Sequence, residues 1–286
     1  MTLKQAAAFF AISLIWGSTW LIQQQIPDPS TQLSFTTLAL ASGGIGLAIV
    51  AAALRLPLPR KQEWIASAVL GVTLTALPYL LTTWISTHLS SGTGAVIAAA
   101  TPLIAGFFSD ASWRARNASI AGLAGVLLIV ANLVSSSWNQ LAWAVILLCG
   151  TCAIAASLIF GKTRLVNCHP VYTAAIELVA ASLVLGLASS RKNFLPAALP
   201  WMPLLIMAAG NAIAAALYFW LLKRRRVDQL TSTIWLQVVI SVTESIWFLR
   251  PHIDWRIATG ALMVIGSLFI LHSSQDEETV LTVRAT

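Results

Sequence analysis

Long apolar runs alternate with short polar breaks over nearly the whole chain. Runs of about 20 apolar residues, the length a helix needs to cross roughly 30 Å of hydrocarbon, fall near 6–26, 32–54, 64–86, 91–109, 117–136, 141–161, 170–190, 200–222, 229–249 and 255–272. The breaks are short: "PDPS" follows the first run, "RLPLPRKQE" the second, "KTRLVNCHP" the sixth and "KRRR" the eighth. Continuous runs of this length predict helices, because strands of a membrane barrel would show alternation over about ten residues. The expectation is an all-α integral membrane protein of ten transmembrane helices. The first run is long enough to remain as a span and not be cleaved as a signal peptide.

Composition agrees, with 58% hydrophobic and 9% charged residues against roughly 25% charged in a soluble domain. A net charge of +7 invites a nucleic-acid reading, but the basic residues stand in small groups between apolar runs and form no single face. Their placement orients the chain instead. With a cytoplasmic N-terminus, thirteen Lys and Arg fall inside and four, Arg191, Lys192, Arg250 and Arg256, fall outside. The positive-inside rule then places both termini in the cytoplasm, with 276–286 as a cytoplasmic tail. Trp64, Trp113, Trp138, Trp201 and Trp255 lie near the predicted ends of spans, at headgroup level. Cys149, Cys152 and Cys168 make no disulfide framework, and the first two are expected as small residues on a packing face.

The spans divide at about residue 138 into 1–138 and 139–275, each with five helices. Five is odd, so the second half must enter the membrane in the opposite sense. The halves echo one another: "GLAGVLLIVANLV" closes the first and "GALMVIGSLFILHS" the second, while Tyr79 and Tyr218 each sit in the third span of their half. Inverted repeats supply two conformations of similar energy around a site at their interface.

"IWGSTW" in the first span, "SSGTGAVIAAATPLI" at the fourth, "GLAGV" in the fifth and "AAIELVAASLVL" in the seventh resemble the EamA-type branch of the drug/metabolite transporter superfamily, over essentially all of the chain. The resemblance implies ten helices as two inverted repeats. It also implies a secondary transporter, facilitative or proton-linked, that exports amino acids or similar small metabolites through the bacterial inner membrane by alternating access. The second span lacks the Arg often found in the family, and the ninth lacks the usual Pro, although Pro102 stands at the comparable place in the fourth.

Ionisable groups in hydrocarbon cost about 2.5–3.5 kcal/mol, so Glu177 and Glu244, the acidic residues inside spans, are candidates for proton coupling. On a helix, Trp16 and Trp20 share a face with Thr19 beside them, a pattern suited to a wet cavity, while Gly17 and Ser18 suit close packing. Trp16, Tyr79, Thr83, Asn211, Tyr218, Trp235 and Gln237 are the candidate substrate contacts, in a polar and aromatic pocket suited to a zwitterion or a modest aromatic solute. Gly17, Pro78 and Pro102 are candidate hinges. No HExxH, GxSxG or Walker A pattern occurs, so no catalytic residue, cofactor or metal is expected. The expected partners are a small-molecule substrate and the lipid bilayer, not nucleic acid. Gly122, Gly125, Gly260 and Gly266 serve either internal packing or a dimer contact, leaving a monomer or a homodimer. The reading from another class is a non-transporting multispan receptor, scaffold or lipid-handling protein with no continuous cavity.

Overall fold

The computed structural model describes residues 2–24, 26, 29–85, 138–189 and 200–225, together with scattered residues between 88 and 125 and between 230 and 266. The described elements are helical: α1 (Leu3–Gln24), α2 (Pro29–Ala53), α3 (Lys61–Leu70), a π-helical segment (Gly71–Ala76), α4 (Leu77–Ile85), α5 (Trp138–Arg164), α6 (Pro170–Ala188) and α7 (Trp201–Leu222). Five stretches among the described residues are long and apolar enough to cross a membrane: Thr31–Ala53, Lys61–Trp84, Trp138–Arg164, Pro170–Ala188 and Trp201–Leu222. The expected spans near 91–109, 117–136, 229–249 and 255–272 lie largely outside the described residues.

Sequence sets the helix ends. Pro170 occupies the first turn of α6, where its missing N–H would be unpaired in any case, and His169 caps it by accepting from the Val171 N–H at 3.3 Å. At the start of α3, the buried Glu63 carboxylate accepts from the Arg60 N–H at 2.7 Å. Lys162 and Arg164 lie in the last turn of α5, where cations offset the partial negative charge of the helix C-terminus.

The chain forms two compact units, Met1–Trp84 with Ser157–Arg225, and Ile85–Ala156 with Arg226–Thr286. In the first, α2 packs along α6 and α7, and α1 along α7. Two adjacent glycines permit this. A Cβ on Gly43 would stand 2.6 Å from the Ala208 carbonyl oxygen of α7, and one on Gly44 would stand 3.0 Å from the Val179 nitrogen of α6. Phe35, Ala39, Leu204, Met207 and Ala208 form a core cluster between α2 and α7. The outward positions are also apolar: Phe10 and Leu14 on α1, Ile45 and Ile49 on α2, Ile65, Val69 and Val72 on the third span, and Leu205, Ile206 and Ile213 on α7 are exposed. Apolar residues outside and hydroxyls inside reverse the soluble pattern, as expected where lipid is the solvent.

One end of this unit gathers several helix termini. The Arg225 guanidinium, beyond the end of α7, donates to the Gln5 side-chain Oε1 at the start of α1. The Lys162 ammonium at the end of α5 donates to the Leu222 carbonyl and, at 2.6 Å, to that of Arg225. α1 therefore starts at the end where α5 and α7 finish.

In the second unit, the His88 ring stacks on Trp143 with centroids 4.3 Å apart. Cys149 and Cys152 are exposed, which corrects the expectation of a packing face: they lie on the outward face of α5 with Val145 and Ile146. Gly122 and Gly125 are buried and Gly266 is exposed, while Gly260 lies outside the described residues.

Candidate functional site

Most hydroxyls in these spans satisfy themselves locally. Ser13 donates to the Phe9 carbonyl, Thr19 to Ile15, Thr36 to Gln32, Thr37 to Leu33 and Thr151 to Leu147, at 2.8–2.9 Å. This back-bonding to the preceding turn is how a hydroxyl is accommodated without water. Thr75 departs from it. Its hydroxyl leaves its own helix and donates to Glu177 Oε1 on α6.

The local backbone explains why. Pro78 has no N–H and its ring would press on the carbonyl four residues earlier. The preceding turn is widened into the π segment, and Leu77 N–H bonds back to the Val72 carbonyl, five residues away. Pro78, a candidate hinge from sequence, is accommodated by a π-bulge, a feature often found at functional sites. Gly71 opens that segment against α6, where any Cβ would collide with the Glu177 carbonyl oxygen. Thr75 is one turn beyond Gly71 and is brought to the Glu177 side chain by that contact.

Glu177 is 3% exposed, and its Oε2 is buried with no hydrogen-bond partner among the described residues. Its carboxyl stands near enough to both Tyr79 and Tyr218 for its charge to act on the two phenols. Tyr79, one turn after Thr75, donates its hydroxyl to Asn211 Oδ1 at 3.3 Å, and Asn211 donates to the Met207 carbonyl at 2.9 Å. Asn211 and Tyr218 are seven residues apart and share a face of α7. The Tyr218 ring lies 5.3 Å from that of Trp16 on α1, tilted by 48°.

Five residues singled out from sequence, Trp16, Tyr79, Glu177, Asn211 and Tyr218, are thus brought together in one unit by four helices. Thr83 is buried one turn beyond Tyr79, and Gly17 is buried in α1. Thr19, expected on the cavity face beside Trp16, is buried and donates to the Ile15 carbonyl within α1. Gln237 belongs to the other unit, where its Nε2 is buried without a partner among the described residues. Trp235, Glu244, Pro102 and the Trp20 side chain lie outside the described residues. Sequence reasoning missed Thr75 and Gly71. The available signal was the spacing Gly71, Thr75, Tyr79, one residue per turn on the helix that carries Pro78.

The sequence pattern of the EamA-like transporter family matches residues 3–137 and again residues 141–273. The chain belongs to the EamA-like transporter family. It is a membrane transporter that carries the family unit twice. It is 26% identical over 249 residues to the uncharacterized inner membrane transporter YedA of Escherichia coli strain K12, a match covering 82% of this chain and 79% of the relative. The protein of that name in Escherichia coli O157:H7 matches to the same extent. A solved crystal structure aligns over 95% of this chain and 98% of its own, with a TM-score of 0.69 at 14% identity, a likeness of fold alone. Multi-pass placement in an inner membrane follows from the relative and the apolar helices together.

Proposed function

We propose that this transporter exports amino acids or closely related small metabolites across the bacterial inner membrane by alternating access, with Glu177 carrying a coupling proton. The observation that carries the reading is the Glu177 carboxyl, buried at 3% exposure with one oxygen held by Thr75 and the other without a partner among the described residues. A carboxyl so placed has a geometry suited to gaining and losing a proton. Around it, two phenols, an amide and an indole offer hydrogen bonds and ring faces to a zwitterion with an aromatic or aliphatic side chain. Apart from Arg256 at the edge of the tenth, no Lys or Arg lies within the spans read from sequence, which disfavours phosphorylated solutes.

Alternating access draws on the two family units. α1 opens the first half and starts at the end where α5, which opens the second half, finishes. α3 and α7, the third spans, also run oppositely, since Glu63 at the start of α3 lies within electrostatic reach of Lys223 at the end of α7. These opposed directions support inverted repeats, and the distribution of basic residues supports cytoplasmic termini.

The test is uptake of radiolabelled amino acids into proteoliposomes under an imposed pH gradient. Glu177→Gln should lose gradient-driven accumulation and keep exchange. Trp16→Ala and Tyr79→Phe should each lower the apparent affinity roughly two- to tenfold, from about 0.5–1.5 kcal/mol per lost aromatic or polar contact. Unchanged pH dependence in Glu177→Gln contradicts the coupling role, and full activity in the other two variants contradicts the site.

A further inference from the structure

A cavity of about 160 Å³, lined by none of the residues of the Glu177 cluster, lies where α5 and α7 end and α6 begins. Two cations line it, Lys162 and Lys223, and its other walls include Leu165, Val166, Phe219 and Leu222. No acidic residue is among its described lining residues. Lys162 directs two of its three ammonium protons to the Leu222 and Arg225 carbonyls and, among the described residues, retains one. Lys223 is half-buried, and burial holds its ammonium below the ordinary lysine value, so it has lost hydration that an anion in the cavity would replace. Glu63, an acidic group within electrostatic reach of Lys223, has one carboxylate oxygen committed to the Arg60 N–H.

The position favours a lipid. The apolar spans stop at this level, Val166 is exposed beside the opening, and the neighbouring Arg224 guanidinium lies over the Trp220 ring at 4.5 Å, an arrangement suited to the headgroup layer. Basic pockets between transmembrane helices recognise anionic headgroups, and an apolar wall continuous with the bundle surface accommodates the start of an acyl chain.

We propose that this cavity holds the phosphate of an anionic phospholipid, with Lys223 and Lys162 as its counter-charges. The bound headgroup ties the start of α6 to the ends of α5 and α7, which Lys162 already links. This assignment is independent of the transported solute.

The experiment is thermal unfolding of the purified, delipidated full-length chain in mild detergent, titrated with phosphatidylglycerol, phosphatidylcholine or inorganic phosphate. Phosphatidylglycerol should raise the Tm, and the other two should not. Lys223→Gln should need about fivefold more phosphatidylglycerol for half the effect, the factor expected from one lysine near a charged headgroup. Lys223→Arg should restore the wild-type titration, and Lys4→Gln, which removes an exposed charge next to Gln5 at the same end, should leave it unmoved. Equal protection by phosphatidylcholine, or an unshifted titration in Lys223→Gln, overturns the site. A shift in Lys4→Gln as large as in Lys223→Gln reduces it to general surface charge and also overturns it. Inorganic phosphate matching phosphatidylglycerol at equal concentration overturns the lipid as the occupant.

Discussion

Glu177 and Thr75 show how far a single side chain can be read. A carboxyl in the middle of an apolar run stands out in sequence because its burial is costly, so Glu177 was legible. Thr75 was not, since a span hydroxyl ordinarily bonds its own preceding turn, as Ser13, Thr19 and Thr37 do. Thr75→Val keeps the shape and leaves Glu177 Oε1 without its donor. It should lower stability by about 1–3 kcal/mol, read as a fall in Tm, whereas Thr37→Val, which breaks only a bond within α2, should have a smaller effect. His169 makes a separate prediction outside the spans. Its pKa is held below the usual histidine value, first by burial and then by Lys223. The unfolded chain therefore binds that proton more readily, and the contribution of His169 is intact above about pH 6.5 and lost as pH falls below it. Protonation also removes the acceptor that caps α6. Tm measured between pH 5 and 8 should show this dependence in wild type and lose it in His169→Asn, which keeps a capping side chain that does not titrate.

Helices α1, α2, α5, α6 and α7 begin and end within a few residues of the positions expected from hydropathy, because hydrocarbon thickness fixes the length of an apolar run. The interior of the third span was less legible. Pro78 announced a disturbance there, yet hydropathy carries no information on whether a proline yields a kink or a widened turn. Close helix approach was equally hidden, since Gly43, Gly44, Gly46 and Gly71 look alike in sequence. The structure separates them. A Cβ on Gly71 meets the Glu177 carbonyl oxygen, while one on Gly46 meets nothing within 4 Å. Gly71→Ala should therefore cost about 1–3 kcal/mol from overpacking, more than the roughly 1 kcal/mol that alanine gains in helix propensity. Gly46→Ala should be neutral or stabilising by up to that amount. Thermal unfolding of the two variants side by side checks the contrast, and equal effects would show that the α6 contact does not constrain the third span.

At the scale of the molecule, the family unit was legible twice over because each copy retains its order of spans and small-residue motifs, and matches at 3–137 and 141–273 agree with that reading of the family. The compact units follow a different division, since Ser157–Arg225 of the second half folds with Met1–Trp84 of the first. Hydropathy orders spans along the chain but does not pair them in space, so this grouping could not be read in advance. The account holds that a solute reaches Thr83 and the Glu177 cluster from one side of the membrane at a time. Thr83→Cys, in a background without native cysteines, is labelled by an impermeant maleimide applied to right-side-out or inside-out vesicles, with and without amino acids. The account predicts labelling from both sides and a change in the ratio of the two rates when a transported amino acid is present. Labelling from a single side, or from neither, unchanged by every amino acid tested, would contradict it.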